Sequence, residues 1–274
     1  MTAAAKHRLA ELTFREFEER LADPPVIVIP LGSQEEQGPT CPMGDYQLTE
    51  VVADRAAQDA NAVVAPILPF GYADYFRPVP GGIALRAETF IAVLEDIIVN
   101  FLDHGLSRIV ILNGHSGNAP LIDVTQRRLK HSRGVIVPAV HLWRSIPPAL
   151  FEELYGEDAQ RAKGHGADPL TSVAMHLVPD QMRLDLAETA GPFGHVIGLP
   201  TSGLSGVIFQ GVEVSVPVDV TDRCNNGITG GDPSLASADK GARIVDHLVG
   251  HSVALINHMK ATDPHIKPAI KTGE

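Results

Sequence analysis

Two short runs, Val26-Ile27-Val28-Ile29 and Ile109-Val110-Ile111-Leu112, are apolar at every position rather than at alternate ones. Strands read this way when helices cover both faces of a parallel sheet. Around and between them the apolar period lengthens to that of helices, over Phe14 to Leu21, Tyr46 to Ala60, Glu88 to His104 and Ala119 to Lys130. Further strands are expected at Ala62 to Pro66 and Gly134 to His141, with the two apolar runs extending to Val26 to Leu31 and Arg108 to Leu112. Strand and helix therefore alternate, which predicts a three-layer α/β/α sandwich with a mainly parallel central sheet.

The second half is less regular. Pro147-Pro148 and the polar segment to Gly164 read as an insertion over the sheet edge. A helix is expected from Asp168 to Leu177, with Asp168 as its cap and Pro169 in its first turn. A Gly/Pro-rich region follows, then a last amphipathic helix from Pro233 to about Met259 capped by Asp232. No repeat, low-complexity tract or linker divides residues 1–274, so one α/β domain is expected.

Chemistry gathers where these strands end. After the first run comes Gly32-Ser33-Gln34-Glu35-Glu36-Gln37-Gly38-Pro39, closed by Gly44-Asp45. After the second comes Asn113-Gly114-His115-Ser116-Gly117-Asn118. Ligands bind at the carboxyl ends of strands in such sheets. Carboxylates crowded there repel one another unless a cation holds them, and a histidine beside them completes a metal-ligand set. Glu35, Glu36 and Asp45 as solvated loop charges, with Asp45 capping the next helix, is the competing reading. A third cluster, Lys163-Gly164-His165-Gly166-Ala167-Asp168-Pro169-Leu170-Thr171-Ser172, contains a histidine that capping leaves unexplained.

These blocks resemble the creatininase family, whose members typically show Pro-x-Gly-Ser-x-Glu-Gln-His-Gly-Pro-His-Leu-Pro-x-x-x-Asp, then Asn-Gly-His-x-x-Asn, then His-Ala-Gly-Glu-x-Glu-Thr-Ser. Pro80-Gly81-Gly82-Ile83-Ala84-Leu85 and Gly230-Gly231-Asp232-Pro233 are similar to two weaker family blocks, so the resemblance runs from about Pro30 to about Gly241. It implies metal ligands at Glu35, Asp45 and His115, with His165 as general acid/base; Asp168, three residues on, is the acid expected to assist it. It also implies a homo-oligomer, a hexamer as in that family. The chain departs from the pattern at Gln37, Thr40, Gly117 and Leu170, and has one residue fewer between Pro42 and Asp45. Gln37 replaces a histidine ligand of the family's second metal, and Gly117 replaces the glutamate of creatinine-opening members. Creatinine is thus not the expected substrate. One tightly held divalent ion, zinc, manganese or iron, is expected, with Glu36 the residue that could swing inward to replace the missing ligand.

The expected reaction is hydrolysis of a C–N bond other than a peptide bond in a small molecule, an amide, cyclic amide or formamide, by a metal-activated water. The Gly114 to Gly117 turn would offer backbone N–H groups to the oxyanion. Two rivals remain: a serine hydrolase on Ser116, for which Asn118 breaks the Gly-x-Ser-x-Gly pattern, and a non-catalytic creatininase-like binding protein that has lost part of its metal site.

Composition narrows the field. A formal charge of −11 disfavours nucleic acid and anionic membranes as partners. Two distant cysteines, Cys41 and Cys224, suggest neither disulfides nor a thiolate zinc site, which fits a cytoplasmic protein. Met1 to Leu12 carries no apolar core of signal-peptide length. Trp143 is a candidate pocket wall, and His247, His251 and His258 read as a solvated or interfacial stripe.

Overall fold

The computed structural model describes residues 6–266. Helix α1 (Phe14–Arg20) leads into β1 (Ile27–Leu31), α2 (Tyr46–Asp59), β2 (Val63–Val64), α3 (Ala87–Asp103), β3 (Ile109–Asn113), α4 (Ala119–Arg133) and β4 (Ala139–His141). The four strands form one parallel sheet in the order β2-β1-β3-β4, with Leu31 opposite Asn113 at the ends of the central pair. Every residue of β1 and β3 is buried.

Alternating side chains explain why both faces must be covered. Val28, Val110 and Leu112 pack on one side against Val52 of α2 and against helices further along the chain. Ile27, Ile29, Ile109 and Ile111 pack on the other against Phe90 and Leu94 of α3 and Ile122 and Leu129 of α4. The result is the α/β/α sandwich expected from the apolar runs.

Beyond β4 the chain forms α5 (Pro148–Tyr155), α6 (Ala159–Ala162) and α7 (Leu170–Leu177). Two antiparallel ribbons follow, β5 (His195–Val196) with β6 (Leu199–Pro200), and β7 (Gly206–Phe209) with β8 (Val212–Ser215). Short α8 (Val220–Arg223) and long α9 (Ala238–Lys260) complete the order. Phe151 of α5, Val173 of α7 and Ile244 and Leu248 of α9 join the core over the α2 face. Among the described residues no helix is long and apolar enough to cross a membrane.

Several expected boundaries move for local reasons. β4 begins at Ala139 rather than near Gly134, because Pro138 has no N–H for the ladder and the Ile136 N–H turns to the Pro264 carbonyl instead. α9 begins at Ala238, capped by the Ser237 side chain, while Asp232 caps a separate 3-10 turn, Pro233–Leu235. The Pro147 to Gly164 segment folds into α5 and α6, with Phe151 and Tyr155 of α5 buried, and so belongs to the core rather than lying loosely over an edge.

Candidate metal centre and catalytic cavity

The sheet order creates the site. β2 lies on one side of β1 and β3 on the other, so the chain reverses its progress across the sheet between them, and a crevice opens at their carboxyl ends. The loop after β1 brings Glu35 and Asp45 to that crevice, and the turn after β3 brings His115. All three are buried, and one ligand atom from each lies within 4.8 Å of the others.

Asp45 occupies the N-cap position of α2, but its side chain does not cap the helix as the competing reading had it. Its carboxylate turns back, accepting from the Ser33 backbone N–H at 2.6 Å and the Ser33 hydroxyl at 3.1 Å, and meets His115 Nδ1 at 3.1 Å. Glu35 Oε2 lies 3.0 Å from the same nitrogen, yet has no well-formed hydrogen bond. Its other oxygen accepts from Gln37 Nε2 at 2.9 Å.

The histidine's far nitrogen settles its orientation. Nε2 lies 2.9 Å from the Tyr72 carbonyl, which can only accept, so Nε2 carries the proton. Nδ1 therefore directs its lone pair, or a second proton, at two carboxylates. In the absence of a metal a proton must sit there: Glu35 and Asp45 hold His115 well above its ordinary pKa although burial opposes its charge. Burial pushes Asp45 up to about 6 against the pull of His115. A divalent cation replaces that proton naturally, and a ligating histidine whose other N–H is fixed by a backbone carbonyl is the usual arrangement around metals. The residues fit a metal.

Asn113 and Asn118, which sequence reasoning passed over, frame this centre. Asn113 bonds both the carbonyl and the N–H of His115, and Asn118 accepts from the Tyr72 N–H at 2.8 Å and donates to Asn113 and to the Gly32 carbonyl. They lock the β3 turn, the β1 end and the Tyr72 loop together. That loop closes the space that a glutamate at position 117 would need, since even a Cβ on Gly117 would collide with the Tyr72 carbonyl and His115 Nε2. The N–H groups of Gly114 and His115 are engaged by Leu31 and Asn113, so an oxyanion could draw only on the remainder of that turn.

Across a cavity of about 430 Å³ from the triad lies His165. Its Nε2 is 2.7 Å from Glu36 Oε1, while Glu36 Oε2 accepts from the Gly38 N–H at 2.7 Å. Glu36 has therefore not swung in to the triad; it partners His165. Although burial opposes it, Glu36 holds the His165 pKa above its ordinary value, with a smaller contribution from Glu35. Phe76 stacks on the imidazole with ring centres 4.5 Å apart. Asp168 also lines the cavity, but its carboxylate is taken up by the Tyr155 hydroxyl and by the Ser172 N–H and hydroxyl, not by His165.

Trp143 walls the same cavity and donates its indole N–H to the Gly114 carbonyl. Tyr75 and Phe76 also line the cavity, Phe76 being only 2% exposed. Exposed apolar surface lies on the ribbons, at Ile197 (76%) and Val212 (66%).

Comparison with known proteins agrees with this geometry. The creatininase family model, described as creatinine amidohydrolase, matches residues 10–256. The creatinine amidohydrolase of Pseudomonas putida is 31% identical over 196 residues, 65% of this chain and 74% of its own length. The 3-dehydro-scyllo-inosose hydrolase of Thermotoga maritima is 26% identical over 92% of this chain and 83% of its own. The mycofactocin precursor peptide peptidase of Mycolicibacterium smegmatis is 26% identical, covering 82% of this chain and 81% of its own. A solved manganese creatininase superposes with a TM-score of 0.76 at 26% identity, over 94% of this chain and all of its own. A creatininase complexed with creatine gives 0.74 at 27%, over 92% and 98%. On the family match over most of its length, together with the order of its strands and the position of its acidic and histidine residues, the chain belongs to the creatininase family.

Proposed function

We propose that this member of a hydrolase family cleaves an amide-type C–N bond in a small molecule, with one divalent ion held by Glu35, Asp45 and His115. The observation that carries the reading is the pairing of His115 Nδ1 with two buried carboxylates while its Nε2 is fixed on the Tyr72 carbonyl. One nitrogen and two oxygen ligands suit zinc, manganese or iron. A bound ion would supply Lewis acidity, providing a nucleophilic water at neutral pH and polarising the substrate carbonyl.

The chain's own groups supply the rest. Ser33 and Tyr72 orient Asp45 and His115 before any metal arrives. Gln37 spends its amide N–H on Glu35 and so steadies that ligand instead of holding a second ion. His165, polarised by Glu36, delivers a proton to the leaving nitrogen from across the cavity. That supporting part, first given to Asp168, passes to Glu36, and Asp168 secures the His165 loop to Tyr155 and Ser172. Phe76 and Trp143 keep the chamber partly dry, strengthening each charge in it. The peptidase relative shows that the family also meets C–N bonds in peptides, whereas a cavity of this size suits a small molecule.

Metal analysis tests the reading. Purified protein should retain about one equivalent of a divalent metal, His115→Ala none, and the loaded protein alone should release amine or ammonia from members of a panel of cyclic and linear amides. Full metal content in His115→Ala would refute the ligand assignment, and a metal-loaded chain inert to the whole panel would favour the binding-protein reading.

A further inference from the structure

The cavity shared by the triad and His165 is also lined by Arg144 and Lys163. Arg144 ends the turn after β4, the strand beside β3, and Lys163 lies two residues before His165. Neither meets a carboxylate among the described residues. Lys163 Nζ instead rests 4.2 Å from the centre of the Phe151 ring, and Arg144 makes no ion pair, although its charge is felt at Tyr75 and His141. Two cations without a carboxylate partner thus converge on one cavity.

Charge accounting inside the cavity sharpens the point. A divalent ion balances Glu35 and Asp45, and His165 is matched with Glu36. Asp168, the remaining acid of the wall, already accepts three hydrogen bonds. Even against the Asp168 charge, which those neutral donors do not cancel, the exposed Arg144 and half-buried Lys163 leave the ion-loaded chamber with a positive excess. The Tyr75 hydroxyl, with no hydrogen-bond partner among the described residues, adds a neutral donor at the same wall.

We propose that the substrate is an anion, an amide bearing a carboxylate or phosphate group, and that Arg144 and Lys163 bind that charge while the amide reaches the triad. This rests on the hydrolase reading in taking the cavity as the substrate site. Recognition by two cations at separate points also fixes which end of the molecule faces His165, so the pair acts on specificity as well as affinity.

Calorimetry on the metal-loaded protein tests it with succinate, 3-phosphonopropionate and neutral succinamide, similar in length and differing in charge. At least one anion should bind tenfold or more tighter than succinamide, and the preferred anion identifies carboxylate or phosphate as the recognised group. Arg144→Gln and Lys163→Gln should each weaken that anion roughly tenfold to hundredfold, the worth of one charge-assisted hydrogen bond. Both should leave succinamide binding, metal content and melting temperature unchanged. Equal binding of all three probes, or anion affinity indifferent to both substitutions, would overturn the proposal while leaving the metal assignment intact. The converse result, anion binding through Arg144 and Lys163 in a protein that retains no metal, would refute the hydrolase reading alone.

Discussion

Replacing Glu36 by Gln removes one charge and almost no volume, and its consequences can be worked out atom by atom. Both Glu36 oxygens accept hydrogen bonds, one from His165 Nε2 and one from the Gly38 N–H, each at 2.7 Å. A glutamine offers one acceptor and one donor group. Either its oxygen faces His165 and its NH2 confronts the Gly38 N–H, or it turns over and His165 must move its proton to Nδ1 to accept from the amide. Gly227 lies against the Glu36 carboxylate, so close that a Cβ on it would collide with Oε2.

A charge-assisted hydrogen bond contributes about 1.5–3 kcal/mol, so catalysis through His165 should fall roughly tenfold to hundredfold. The sign of the pH effect follows from the raised pKa of His165. A histidine raised by its partner contributes stability that is present below its unfolded pKa and is lost as pH rises through the folded value. Removing the partner lowers that folded value, so a step requiring protonated His165 should fail at lower pH in the variant, moving the alkaline limb of the rate profile downward. Nitrogen-15 NMR of the imidazole would report the tautomer and titration directly, and mass spectrometry the metal. An unchanged His165 titration with normal turnover would refute the pairing as a working one, and loss of metal along with activity would place Glu36 in the metal site instead.

Gly117→Ala should disturb His115 and lower metal affinity by an order of magnitude or more, since a Cβ there meets the Tyr72 carbonyl and the ring itself; unchanged affinity by chelator competition would show that the Tyr72 loop yields. Acidification should release the metal, because a proton that Glu35 and Asp45 stabilise on His115 competes for Nδ1, and Asp45 regains its own proton near pH 6; metal content independent of pH between about 5 and 8 would contradict this. Gln37→His should let a second ion be retained in excess metal, detected as an added equivalent after dialysis, because the amide now spent on Glu35 becomes an imidazole. The apolar ribbon faces around Ile197 and Val212 should be covered in a homo-oligomer, a hexamer on the family's pattern, and sedimentation of a monomer at micromolar concentration would refute it.

The parts of this molecule that were legible in its sequence share a physical cause. A strand buried on both faces must be apolar throughout, so β1 and β3 announce themselves, and with them the ends where Glu35, Asp45 and His115 stand. Bringing these three side chains together needs only that short loops leave adjacent parallel strands. Glu36 and His165 are different: they lie 129 residues apart, and their contact depends on how α7 and the loop around Gly227 pack over the sheet. No local pattern encodes that distance. The same holds for Tyr75 and Phe76, whose polar and glycine-rich neighbours suggest surface while the fold turns them over the cavity. The start of α9 was misread because Asp232 and Ser237 are both good caps, and only the intervening 3-10 turn separates them.

The departures from the family pattern make more sense together than singly. Where that pattern reads Glu-Gln-His, this chain reads Glu35-Glu36-Gln37. The position that would hold a second metal has lost its nitrogen ligand, and the position beside it has gained a carboxylate. Gln37, stripped of a ligand's role, braces Glu35, and the new charge at Glu36 is spent on His165. Gly117 removes the remaining carboxylate from the second-metal side, and the Tyr72 loop fills the space. A second cation and a carboxylate-paired histidine are alternative ways to handle charge that develops opposite the first metal: the cation stabilises it in place, whereas the pair moves a proton to it. Under the proposed function the His165–Glu36 pair suits the second way. Under the proposed function that arrangement would tie activity to the protonation of His165 more tightly than to the supply of a second ion, which is why the Glu36→Gln titration and the metal stoichiometry must be measured on the same protein.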